Sequence, residues 1–201
     1  MSQHPPVRNT SHKWRAVLAG GLVLGVGAAV TLAAWNDSEF ATGTFTAGTF
    51  NLEGSDDGTA YNEHSTLGTA DALGFTVAPN NLAPGDTVYA PFSVRLDDQT
   101  TKDAVVTVSA EASTGVVTNL TYTLVTTSTN GCNAAAVAAG TSIVAAGAAL
   151  GSVPGGVTFD LEQGATGSAG EAVNLCFAVS AGSIGQGQSG TATWKFTASS
   201  E

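Results

Sequence analysis

Positive charge is what this chain has least of. Six lysines and arginines stand against sixteen aspartates and glutamates, and Arg8, Lys13 and Arg15 are spent in the first fifteen residues. From Ala34 onward only Arg95, Lys102 and Lys195 remain against all sixteen acids, a net charge of −13 for that part. So few cations cannot build the footprint a phosphate backbone needs, which argues against nucleic-acid binding, and anionic membrane surfaces are disfavoured for the same reason. The repulsion keeps single molecules soluble, so any self-assembly should be helped by added salt or a fall in pH.

Catalytic residue types are scarce as well. His64 is the only histidine after the first thirteen residues, and Glu63-His64 without a second histidine one helical turn away does not make an HExxH zinc site. No GxSxG elbow, P-loop or dinucleotide fingerprint occurs. Asp56-Asp57-Gly58 and Asp97-Asp98 offer carboxylate oxygens, but their spacing fits no EF-hand loop and acidic pairs in turns are usually solvated. Trp35, Trp194, Tyr61, Tyr89 and Tyr122 are thin material for a sugar platform. The reading is of a protein that is not an enzyme, with no catalytic set, no metal site and no cofactor.

What is present begins with an export signal. A polar start carrying the three early cations leads into an uncharged run of 17 residues, Ala16–Leu32, and then the small residues Thr31, Ala33 and Ala34. The run lies at the lower edge of what spans a bilayer, about 17–25 residues, so an uncleaved anchor is the alternative. The Thr31-Leu32-Ala33 pattern, the glycines inside the run and the missing basic flank favour cleavage between Ala33 and Ala34 by a signal peptidase. Residues 1–33 are thus a signal helix removed on export, 34–46 an N-terminal segment, and 47–201 one domain. The membrane is met only through the uncleaved signal, and the product is secreted.

Beyond the junction apolar and polar residues alternate with period two between Gly, Pro, Asn and Asp punctuation, and Thr, Ser, Val and Gly abound, which is an all-β pattern. About nine antiparallel strands are expected, at the spacing of a sandwich or barrel: Phe45–Leu52 with a bulge at Gly48, Leu73–Val77, Thr87–Leu96, Ala104–Ala110, Leu120–Val125, Ser142–Ala146, Val157–Leu161, Ala172–Val179 and Gly190–Ala198. Pro91 places the third at a sheet edge or a bend. Pro84-Gly85 reads as a type II turn, and alanine-rich 134–139 as a helical turn. In an exported chain the two cysteines, Cys132 and Cys176, read most simply as one disulfide, crossing the outer side of a sheet because Val173, Leu175, Phe177 and Val179 take the core face.

Three blocks carry a resemblance: Ala33-Ala34-Trp35-Asn36-Asp37-Ser38-Glu39-Phe40 with Gly43–Leu52 behind it, Asn81–Asp86, and the closing Gly187–Phe196. They look like the TasA/camelysin family of Gram-positive exported proteins, in particular the actinobacterial alternate-signal-mediated branch with its SipW-type signal peptide. The resemblance implies a β-sandwich of jelly-roll type and assembly of the secreted chain with itself into fibres of the cell surface or biofilm matrix. The freed N-terminus would add as a strand to a neighbour, with Trp35, Phe40 and Phe45 as the candidate donor-strand anchors. A camelysin-like surface metalloprotease and a monomeric wall adhesin are the alternative readings. The chain departs from larger family members in being shorter and in having the cysteine pair.

Overall fold

Alternation gives each strand one face that must be buried, and two sheets stacked face to face bury both at once. The computed structural model describes residues 38–76, 81–115 and 119–201, which fall in two units, Met1–Phe45 and Thr46–Glu201. In the first, residues 38–45 are exposed and carry no regular secondary structure. The signal run, the cleavage point at Ala33 and Ala34, and Trp35 lie outside the described residues. The second unit is an all-β sandwich.

Its strands are β1 (Leu52–Ser55), β2 (Thr87–Leu96), β3 (Ala104–Gly115), β4 (Leu120–Thr127), β5 (Thr141–Ala149), β6 (Thr158–Leu161), β7 (Val173–Ala181) and β8 (Gly190–Ser200). They pair antiparallel into a five-stranded sheet, β1-β2-β7-β4-β5, and a three-stranded sheet, β6-β3-β8. Val88, Phe92 and Val94 of β2, Leu175, Phe177 and Val179 of β7, and Tyr122 and Leu124 of β4 pack in one core with Ala104, Val106 and Val108 of β3. A short helix, α1 (Ala134–Ala139), joins β4 to β5; the Asn133 side chain caps it by accepting the Ala136 N–H at 2.9 Å. At the expected turn Gly85 has φ +95°, and the Asp86 N–H donates to the Ala83 carbonyl at 3.0 Å.

A jelly roll is two nested Greek keys of eight strands, with sheet orders β2-β7-β4-β5 and β1-β8-β3-β6. Here the first order is complete and the second lacks its first member, because β1 lies beside β2 instead of beside β8.

Eight strands form among the described residues, against the nine expected. The alternation of Leu73 and Phe75 does not become a strand: Thr76 makes a single bridge to Tyr89, and Val77 lies outside the described residues. Pro91 supplies the reason. The Tyr89 carbonyl accepts the Thr76 N–H at 2.8 Å, so the backbone groups of Tyr89, and of Pro91 two residues on, point away from β7. On that side β1 pairs only with Ser93–Leu96, and a proline there offers no N–H to extend the ladder. Pro91 is therefore in an interior strand, at a position where no described residue pairs with its outer side. The first strand also starts later than expected, at Leu52; Thr49 bridges Thr100, while Phe45 is 95 % exposed.

Cys132 and Cys176 form a disulfide with Cα atoms 5.1 Å apart. Cys176 does sit on the outer side of the five-stranded sheet, aligned with Pro91 and Val125, but that side is covered and Cys176 is fully buried. Around it lies a polar cluster: the Ser93 hydroxyl is 2.8 Å from Asn130 Oδ1 and 2.7 Å from Asn174 Oδ1. One hydroxyl proton serves one of these oxygens, and the other contact is satisfied with its amide turned to donate.

Candidate assembly groove

A β-sandwich that is not closed has edge strands, and an edge is a template for pairing unless it is short, bulged or covered. β1 and β6 have 4 residues each, and the outer side of β1 is met at Gly54 by Asn62, through N–H···O bonds of 2.9 and 3.0 Å. β5 is broken by two register shifts against β4 and holds Gly147 at φ +90°. β8 is different. It runs for 11 residues, its pairing with β3 shifts only where Glu111 bulges from β3, and no described residue pairs with its other side.

The phase of the β3–β8 ladder shows which groups are open. Glu201 N–H donates to the Asp103 carbonyl at 3.0 Å, so odd-numbered residues of β8 turn their backbone groups toward β3. The N–H and C=O of Trp194, Phe196, Ala198 and Ser200 then point outward. The side chains of Trp194, Phe196 and Ala198 face the interior, and all three are only half-buried, whereas Ala104, Val106 and Val108 on neighbouring β3 are at most 3 % exposed. Among the described residues β3 lies between two strands and β8 beside only one, which accounts for the difference.

Between this edge and the β1–β2 side of the other sheet lies a groove of about 950 Å³. Its floor is aromatic: the Trp194 ring lies tilted at 4.6 Å from Phe177 and 5.4 Å from Tyr122, and Phe196 lies 5.5 Å from Phe92. Gly54 admits Phe92 to the floor, since a Cβ there would come within 2.7 Å of the Phe92 ring. Burial raises the pKa of Tyr122, partly offset by the nearby Trp194 indole N–H, and its hydroxyl donates to the Ser152 carbonyl at 2.9 Å. That indole N–H falls short of hydrogen-bond geometry and is buried without a partner, as is Nδ1 of His64.

The residues singled out in the sequence fall in three places. Phe40 and Phe45 are 93 % and 95 % exposed, and Trp35 lies outside the described residues. Cys132 and Cys176 are joined away from the groove, on the covered outer side. Glu63 and His64 line the groove's mouth. Among the described residues no three His, Cys, Asp or Glu side chains come together as a metal site. The Asp57 carboxylate accepts the Thr59 and Ala60 N–H groups at 2.7 and 2.9 Å, and Asp97 accepts the Thr100 hydroxyl at 2.6 Å, so both acidic turns are internally satisfied. No helix among the described residues is long and apolar enough to cross a membrane. The β8 edge escaped the sequence reading, since β8 reads there as one more alternating strand; the only hint was its two aromatics on one face.

No protein-family model matches the chain, and no curated protein matches it.

Proposed function

We propose that the protein is an exported structural subunit that assembles with copies of itself into extracellular fibres, each molecule adding its N-terminal segment as a strand to β8 of the next. The observation that carries this is the absence of a described neighbour beside β8 in a jelly-roll order that is otherwise complete, above a groove with an apolar floor. Adding an extended segment to such an edge is β-augmentation: main-chain bonds give affinity, and alternate side chains filling the groove give specificity.

The N-terminal segment has the matching pattern. From 41 to 47 one face reads Ala41, Gly43, Phe45, Ala47 and the other Thr42, Thr44, Thr46. Those seven residues span about 20 Å as a strand, the length of Trp194–Ser200. Phe45 enters the groove on the apolar face. Phe40, five residues earlier, falls on the threonine face and stays outside. A neighbour is required by the chain's direction. Thr49 is hydrogen-bonded to Gln99 and Thr101, at the end of the sandwich where β8 finishes beside Ala104. Two residues reach only about 7 Å, so a molecule's own 41–47 laid on its own β8 would have to run parallel to it. A second copy's segment is free to run antiparallel, as the jelly-roll order requires.

The disulfide and the absence of a membrane-crossing helix among the described residues are compatible with an extracellular protein. Cleavage after Ala33, which would free the strand, belongs to the same proposal, and the resemblance to the TasA/camelysin family supports it. The test compares purified chains beginning at Ala34 and at Gly48 by electron microscopy and sedimentation, with salt varied. Fibres or long oligomers are expected from the longer chain alone, and equal behaviour of the two would remove strand donation.

A further inference from the structure

The groove is bounded opposite β8 by the molecule's own residues 63–75, and their attachment is unusual. Asn62 is tied to Gly54 and Thr76 to Tyr89. Between these points every backbone hydrogen bond among the described residues is local: Thr69 N–H to Thr66, Ala70 N–H to Leu67, and Phe75 N–H to Leu73. Nothing but side chains holds the segment down. Leu73 and Phe75 are half-buried against the core, while Leu67 is 56 % exposed over a short 3₁₀ turn, Leu67–Thr69. The remainder is small or polar, including Gly68, Ala70, Ala72 and Gly74, and no residue of it enters a sheet.

It is also much longer than its task. The two tie points lie along one side of β2, at Val94 (through Gly54) and at Tyr89, about 17 Å apart at strand rise. Fourteen residues can reach about 46–50 Å. The segment can therefore leave the groove and return with both ends still bonded. The core then loses the contacts of two apolar side chains, Leu73 and Phe75, and the His64 ring leaves its place beside Gly54.

We infer that residues 63–75 are a displaceable strap, one wall of the groove: Leu73 and Phe75 pack against the apolar core in the single molecule, and an incoming strand of a second copy displaces them. This inference rests on the proposed function and adds a control to it. A strap that is closed most of the time lowers the concentration of acceptor-competent molecules by the open fraction, which slows self-assembly. It also hides apolar surface that would otherwise be exposed to any strand-forming chain.

Two measurements on the mature chain test it. In the first, assembly of the chain from Ala34 is followed by light scattering beside a Leu73→Ser/Phe75→Ser variant and an Ala135→Ser control at an exposed position of α1, outside the groove. The double variant should shorten the lag about tenfold or more and the control should leave it unchanged; an unchanged or longer lag in a folded double variant overturns the strap while leaving fibre formation standing. In the second, the unmodified chain is treated with thermolysin before and after assembly. Cleavage within 67–75 should rise several-fold in the fibre, and equal or stronger protection there overturns the inference even if the double variant does not fold. Should no chain assemble, the proposed function fails separately. A peptide of residues 38–47 is then titrated onto the single molecules: tighter binding by the double variant supports the strap, and equal binding or none overturns it.

Discussion

Asp57 shows how one carboxylate settles a loop. Its charge is stabilised by hydrogen bonds from the Ala60 and Thr59 backbone N–H groups and then from the side chains of Thr59 and Ser55, which together hold its pKa well below the usual carboxylate range. A depressed folded-state value means the contribution is fully present at neutral pH and is lost progressively as pH falls through about 4, where the unfolded carboxylate is half protonated. Asp57→Asn keeps an acceptor oxygen but loses the charge that strengthens the bonds. The variant should melt at a lower temperature than the parent at pH 7, with the gap closing steadily as pH is lowered from about 4; thermal scans at several pH values check it, and a constant gap would show that the charge is not the cause. Mild acid used to favour assembly should accordingly stay above that range. At this scale the sequence was readable where the chemistry is local. Pro84-Gly85 announced its turn because φ preferences act within four residues. The bonds that give Asp57 its shift are local too, yet nothing in Asp56-Asp57-Gly58 distinguishes a satisfied turn from a solvated pair until Thr59 and Ala60 are placed.

Among the elements, β7 was read correctly as to which residues take its core face, and the disulfide on its covered outer face has a measurable role. The bridge joins residues 44 apart in sequence and pins the loop before α1 over the buried side of Cys176. Replacing Cys132 and Cys176 together by alanine should cost about 3–4 kcal/mol by the chain-entropy account, seen as a lower denaturant midpoint with the β signature retained. A change under about 1 kcal/mol would mean that the covering loop holds without it. The strand assignments that failed share one cause. Phe45–Leu52 and Leu73–Val77 alternate as strands do, but a strand also needs a partner with free backbone groups. Whether one is available depends on Pro91 and on where β1 lies, and periodicity carries no information about either.

For the molecule as a whole, the consequential fact is which edge has no neighbour among the described residues, and beyond the two aromatics on one face of β8 that was not legible. An edge strand and a central one have the same alternation, and the status of β8 emerges only after residues far apart in the chain are paired. The ladder phase yields a sharp test. The Ala198 N–H points away from β3, so Ala198→Pro removes no ladder bond inside the monomer but deletes a donor and places a ring on the open edge. It should leave a folded protein melting within a few degrees of the parent and abolish or severely slow assembly by sedimentation; undiminished assembly would exclude β8 as the acceptor. A proline at Thr197, whose N–H faces β3, should unfold or strongly destabilise the same domain.

The tie of Thr49 at the finishing end of β8 reaches further than the choice of partner. Under the proposed function it makes every contact head-to-tail, so a growing polymer has two unlike ends, one presenting an empty groove and the other a spare strand. A molecule stripped of residues before 48 still has a groove but no strand to give. Added in small amounts, it acts as a terminator that seals only the end offering a strand and leaves the other free to elongate.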